Sequence, residues 1–272
     1  MDFKKTIFVL PNLLTAASLF CGMYAITLCI GDKATEETAY RASLLLFYAF
    51  IFDLFDGRVA RMTKTQSAFG VEFDSLADLV SFGVAPAVIA YRWSLDGAGV
   101  LGAIVAFLYV LAGALRLGRF NLHAHKPKAK STGPDKYMQG LPIPMAAAFV
   151  IALLLAERAM GGWPWLTEYG LHLRGEEYPV MLIVMAVLAV LMVSTVRFRS
   201  FKDLRINALS IALVAVVVGG SAVVGFLYSP KYILIALLLT YVLFGFFEAI
   251  FTWPRRWREK RAAKEEGPKP SA

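Results

Sequence analysis

The sequence predicts an all-α protein built as a polytopic integral membrane bundle of about eight transmembrane helices, and three observations predict it. Of 272 residues, 58% are hydrophobic and only 18% charged, and the mean hydropathy is +0.60. The apolar residues gather in eight runs, each close to the ~20 residues that a helix needs to cross the hydrocarbon core. Backbone groups in lipid must be bonded within the chain, and barrel strands would be about half as long, so the runs are read as helices. The third observation orients them. With a cytoplasmic N-terminus and alternating spans, 22 of the 28 lysines and arginines fall on the inner side. That asymmetry predicts both termini in the cytoplasm. It also explains a net charge of +8 through anionic lipid headgroups, without a nucleic-acid partner.

The first run, about 8–30, follows Lys4 and Lys5. It is too long, with too many spans behind it, for a cleaved signal peptide. Pro11 near its inner end suits a first helical turn, and Asn12 lies near the level of the acids discussed below. Cys21 and Cys29 have no metal-ligand company and read as small packing residues. A polar turn at Gly31–Thr38 precedes the second run, 40–57, which ends in Asp53–Arg61. The link Thr63–Ala68 leads into the third run, 73–93, past Ser81, Gly83 and Pro86. The fourth, 98–117, delivers Arg116 and Arg119 to an inner loop, His123–Gln139, whose two histidines lack a third ligand. Gly140–Pro144 opens the fifth run, 142–158, and Trp163, Trp165 and Tyr169 then mark an outer aromatic belt. The sixth, 178–196, delivers Arg197 inward; the last two, 206–227 and 231–252, flank Ser229-Pro230. No inverted repeat of the transporter kind is visible. The expected organisation is one membrane domain over 1–228, a final helix in 229–253 packed on it, and a basic, disordered tail over 254–272.

The chemistry is concentrated between Asp53 and Asp78. At 100° per residue, Asp53, Asp56, Gly57, Ala60 and Arg61 share an arc of about 140° on one helix. Gly70, Asp74, Asp78 and Ser81, at intervals of four and seven, share a face of the next. The short link makes the two helices antiparallel neighbours, so these faces look at one another. An ionised group near lipid costs roughly 2.5–3.5 kcal/mol even on lenient scales. Four carboxylates together therefore call for cations. An all-oxygen donor set selects hard ions such as Mg²⁺, Mn²⁺ or Ca²⁺, and a two-metal cluster suits phosphoryl chemistry. Gly57 and Ala60 let a ligand approach the backbone, and Arg61 offers a forked donor to phosphate.

Read as D-x2-D-G-x2-A-R-x8-G-x3-D-x3-D, Asp53 through Asp78 resemble the signature of the CDP-alcohol phosphatidyltransferase family without a mismatch. The resemblance implies a six-helix catalytic core, usually dimeric, with two divalent ions and a CDP-linked lipid donor. By position it implies Asp53, Asp56 and Asp74 as metal ligands and Asp78 as general base that also touches metal. It implies Asp56, Gly57, Ala60 and Arg61 as CDP-binding positions, with Gly70 and Asn12 beside them. The stretches Pro11–Thr15, Asp74–Ala87, Gly113–Asn121, Gly140–Pro144 and Leu191–Lys202 are similar to the membrane-embedded, serine-accepting members of bacteria and archaea. Ser18, where Asn is expected, and Gly118, where Ala is more usual, depart from their pattern. The implied reaction transfers the phosphatidyl group of CDP-diacylglycerol to L-serine and releases CMP, in the inner or plasma membrane of a prokaryote, with the active site on the cytoplasmic side. Arg116, Arg119 and Arg197 are positioned to meet the serine carboxylate or a lipid phosphate. Two alternatives stay open: another acceptor, such as glycerol 3-phosphate or inositol phosphate, and a cation- or proton-coupled transporter.

Overall fold

The structure, a computed structural model, describes residues 3–31, 35–63, 65, 67–124, 137–160, 180–194 and 197–199. The expected spans at 206–227 and 231–252, the tail, the aromatic belt and most of the His123–Gln139 loop lie outside the described residues.

Helix α1 (Phe3–Cys29) starts ahead of its apolar run, so Pro11 falls well inside the helix and not in its first turn. Helix α2 (Glu36–Met62) begins at Thr35, whose side chain accepts the Thr38 N–H at 3.2 Å and so satisfies an open first-turn donor. It runs past the apolar stretch through the whole Asp53–Arg61 motif. The turn behind it is short: Thr63 and Thr65 share a hydroxyl–hydroxyl hydrogen bond of 2.7 Å. Ser67 then caps α3 (Ala68–Asp78) by accepting the Gly70 N–H at 3.0 Å.

Helix α3 continues through a widened π turn (Leu79–Val84), α4 (Ala85–Ala90) and a second π turn (Tyr91–Leu95). A short 3₁₀ turn, Asp96–Ala98, follows, and Gly99 at φ +57 reverses the chain into α5 (Gly99–Ala124). On the far side of that reversal Arg92 donates to the carbonyls of Cys29 (3.3 Å) and Gly31 (2.6 Å), closing the end of α1. Helices α6 (Ile143–Met160) and α7 (Val180–Val193) complete the described bundle. The only strands among the described residues are β1 (Tyr137–Gln139) and β2 (Arg197–Arg199), an antiparallel ribbon with Met138 opposite Phe198. The sequence reading expected loops at both places.

Packing follows residue size. Among the described residues the α1–α2 interface is the most extensive, and both helices carry small buried residues: Ser18, Cys21 and Ala25 on α1, Ala39, Ala42, Ser43 and Ala49 on α2. Without a hydrophobic drive between helices in lipid, such residues let backbones approach and gain dispersion contacts. Cys21 and Cys29 are buried packing residues, as expected. Larger side chains (Phe82, Ile89, Tyr109, Met181, Met185, Met192) fill the centre among the remaining helices.

Two segments, Val9–Cys29 and Ala68–Leu122, are long and apolar enough to cross a membrane, the second spanning 55 residues. Only 33% and 28% of their most apolar stretches are buried, and Phe20, Val100, Phe107 and Val190 face outward at 63–77% exposure. A soluble core helix would bury most of such a stretch. Apolar surface on this scale is matched by lipid as solvent.

Candidate active site

The α2–turn–α3 hairpin faces its acids toward one another. Asp53, Asp56 and Asp74 each offer one oxygen, and these oxygens lie within 4.8 Å of one another. Asp78, one turn beyond Asp74, lies within hydrogen-bonding reach of Asp53 and in the electrostatic field of Asp56 and Asp74. Asp56 is the least exposed of the four, at 5%. Four carboxylates at this range repel unless protons or cations intervene. Their geometry and oxygen-only chemistry fit a divalent cation.

Two further pairs gather at the rim. A Cβ added at Gly57 would stand 3.5 Å from Nη1 of Arg61, so the guanidinium lies over the bare backbone one turn earlier. A Cβ at Gly70 would meet Ser67 Oγ at 3.1 Å and Asn12 Oδ1 at 3.3 Å. Helix α1 thus brings Asn12 to the rim from a distant part of the chain. Ala60 is partly buried on the same face of α2 as Asp53 and Asp56.

Thr15 was not singled out from the sequence as a site residue. Its Oγ1 lies 2.7 Å from Asp56 Oδ2 and 3.1 Å from the Pro11 carbonyl, and both Thr15 and Asp56 are buried. The hydroxyl proton directed at Asp56 orients that carboxylate within the acid cluster. A signal was present: Asn12, Thr15 and Ser18 form a polar line at intervals of three through an otherwise apolar run.

The arginines divide. Arg116 on α5 is buried, 6% exposed, and engaged within the fold. Arg119, one turn later, donates to the Val193 carbonyl at 2.9 Å and the Met192 carbonyl at 3.4 Å, at the C-terminus of α7. Arg197 stands in β2 opposite Gln139. Beside the acids, Asn121 donates to Glu72 (3.2 Å) and exchanges hydrogen bonds with Ser75 (3.1 and 3.3 Å), tying the inner ends of α3 and α5.

The family model described as CDP-alcohol phosphatidyltransferase matches residues 8–173, the region that contains this hairpin. The chain belongs to the CDP-alcohol phosphatidyltransferase family. Among the relatives of this phosphatidyltransferase is a CDP-diacylglycerol–serine O-phosphatidyltransferase of Helicobacter pylori. It is 38% identical over 201 residues, covering 74% of this chain and 76% of the relative. The chain is 40% identical over 152 residues to a protein of the same description from Saccharomyces cerevisiae, covering 55% of this chain and 54% of that one. It is 38% identical over 157 residues to an archaetidylserine synthase of Methanothermobacter thermautotrophicus, with 57% and 61% covered. With the outward apolar faces of its helices, this phosphatidyltransferase is a membrane protein.

Proposed function

We propose that the chain transfers the phosphatidyl group of CDP-diacylglycerol to L-serine, giving phosphatidylserine and CMP. The observation that carries this is the convergence of Asp53, Asp56 and Asp74, beside Asp78, within the matched family region. The names of the relatives support serine as acceptor.

Asp53, Asp56, Asp74 and Asp78 would hold a two-metal centre, with Mg²⁺ or Mn²⁺ as the ions. When bound, such ions supply positive charge against the diphosphate and the departing CMP. Gly57 and Ala60 give the nucleotide close access to the backbone, Arg61 presents its fork to a phosphate, and Gly70 and Asn12 border the same rim. Asp78 takes the proton of the serine hydroxyl. The serine oxygen bonds to the lipid-side phosphorus in line, and the bond from that phosphorus to the CMP oxygen breaks. Arg116 and Arg197 are assigned to the serine carboxylate or a lipid phosphate. Arg119 acts through the end of α7, whose carbonyls it already holds.

The same reading makes the protein a homodimer with a six-helix catalytic core and eight spans in all. Its active site and both termini are cytoplasmic, and 1–228 forms the catalytic domain, with 229–253 packed on it. The experiment is CMP release from CDP-diacylglycerol with a panel of acceptors, with and without a chelator. Release that needs serine and is abolished by EDTA is the expected result. Release with glycerol 3-phosphate or an inositol phosphate in place of serine moves the acceptor assignment. No CMP release with any acceptor returns the acid cluster to the transporter reading.

A further inference from the structure

The π turn Leu79–Val84 begins at the residue after Asp78, and among the described residues α1, α2, α5 and α6 grip it. Ser81 Oγ donates to the Ser18 carbonyl of α1 at 3.1 Å. Gly22 packs so closely that a Cβ there would lie 2.7 Å from Ser81 Oγ. The Phe82 ring meets Phe50 of α2 edge-on at 6.2 Å, and Gly83 faces Ile143 of α6. From α5, the fully buried Tyr109 donates its hydroxyl to the Phe82 carbonyl at 3.2 Å.

The choice of carbonyl is informative. In an α-helix, Phe82 O would accept from the N–H four residues on, and that residue is Pro86, which has none. Its ring would also collide with that carbonyl. The chain widens instead, Ala85 N–H reaching back to Val80 O, and Tyr109 supplies the donor that Pro86 lacks. A π turn holds about one residue more than an α turn. One residue is about 100° of rotation about the helix axis. Because the clamp grips residues 81–83, the width of this turn sets where Asp78 and Asp74, just before it, point.

We infer that Tyr109 is a positioning residue of this enzyme. Its hydroxyl holds the turn widened by Pro86 and so aims Asp74 and Asp78 at Asp53 and Asp56. The inference rests on the reading of these acids as the metal and proton site.

The test uses the full chain in lipid nanodiscs and compares Tyr109→Phe with the parent by Mn²⁺ affinity, CMP-release kinetics and thermal melting. Tyr109→Phe is expected to weaken Mn²⁺ binding and lower kcat, each on the order of tenfold, with KM for CDP-diacylglycerol changed less than about twofold. Met185→Ala, a core truncation on α7, is the control: it lowers Tm and leaves Mn²⁺ affinity unchanged. A Tyr109→Phe protein with lower Tm but parental Mn²⁺ affinity and kcat overturns the inference. If that variant does not fold, Pro86→Ala, which permits the narrower turn, must weaken Mn²⁺ binding in the same way, and parental affinity there overturns it. A parent that binds Mn²⁺ but releases no CMP with serine defeats the serine reading alone, since the Mn²⁺ comparison still decides Tyr109. A parent that binds no Mn²⁺ defeats both.

Discussion

Asp56 illustrates how a carboxylate is made useful beside lipid. Its burial would be costly alone, but Thr15 donates to one of its oxygens at 2.7 Å. Groups that orient a metal ligand are worth about 10–100-fold in metal affinity. Thr15→Val is therefore expected to weaken Mn²⁺ binding by that factor, with Thr15→Ser near parental, measured by titration of the purified protein. Asp78→Asn is expected to lower kcat about 10²–10⁴-fold while CDP-diacylglycerol still binds, since the proton acceptor is lost while Asp53, Asp56 and Asp74 remain for the metal and Gly57 and Arg61 for the nucleotide. Full turnover in that variant would end the base assignment. The acids were legible because helical periodicity converts their spacing into shared faces without any tertiary information. Thr15 was not, because its partner lies 41 residues away and only the packing of α1 on α2 joins them.

The same division appears in the elements. Helix positions could be read from hydropathy, but their ends depend on partners. The expected span 178–196 ends as a helix at Val193, where its last carbonyls are collected by neighbours. Arg119 takes Met192 and Val193, the Leu141 N–H takes Leu191 at 3.1 Å, and Ser194 Oγ takes Leu191 at 2.7 Å. Arg119→Ala removes charge-assisted bonds from open helix carbonyls and is expected to lower Tm by several degrees in a melting experiment. Gly140 sits at φ +77, with its Cα against the Met192 carbonyl, so an added Cβ has no room. Left-handed backbone alone costs a non-glycine residue about 1–2 kcal/mol. Gly140→Ala is expected to destabilise by more than that, and an unchanged Tm would count against the close approach. The π turns and the β1–β2 ribbon escaped the sequence reading for physical reasons. Hydrophobic periodicity cannot register one extra residue in a turn, and three-residue strands paired across 58 or more positions leave no local pattern. Pro86 was the visible trace of the first π turn.

At the scale of the molecule, the apolar outer surface and the acids gathered between α2 and α3 invert the arrangement of a soluble enzyme. The protein is expected to stay with the membrane through an alkaline carbonate wash, checked by sedimentation. The charge distribution gives a second expectation: a cysteine introduced by Ala272→Cys should react with an impermeant maleimide only after the membrane is opened. The native Cys21 and Cys29 are buried and leave little background. The helical membrane class was legible in the sequence because lipid allows few solutions; the mutual placement of helices was not, because it rests on small side chains that look alike in any apolar run. The hairpin has one more consequence, in the order of assembly. All four acids come from two consecutive helices joined at Thr63–Ser67, so bringing them together closes a very short loop and costs little chain entropy. The site's contacts are of low contact order, which favours rapid formation. During synthesis these acids can meet before α5, α6 and α7 exist. The later helices then enclose charges already arranged, which places the electrostatic burden of folding on the closing of the bundle.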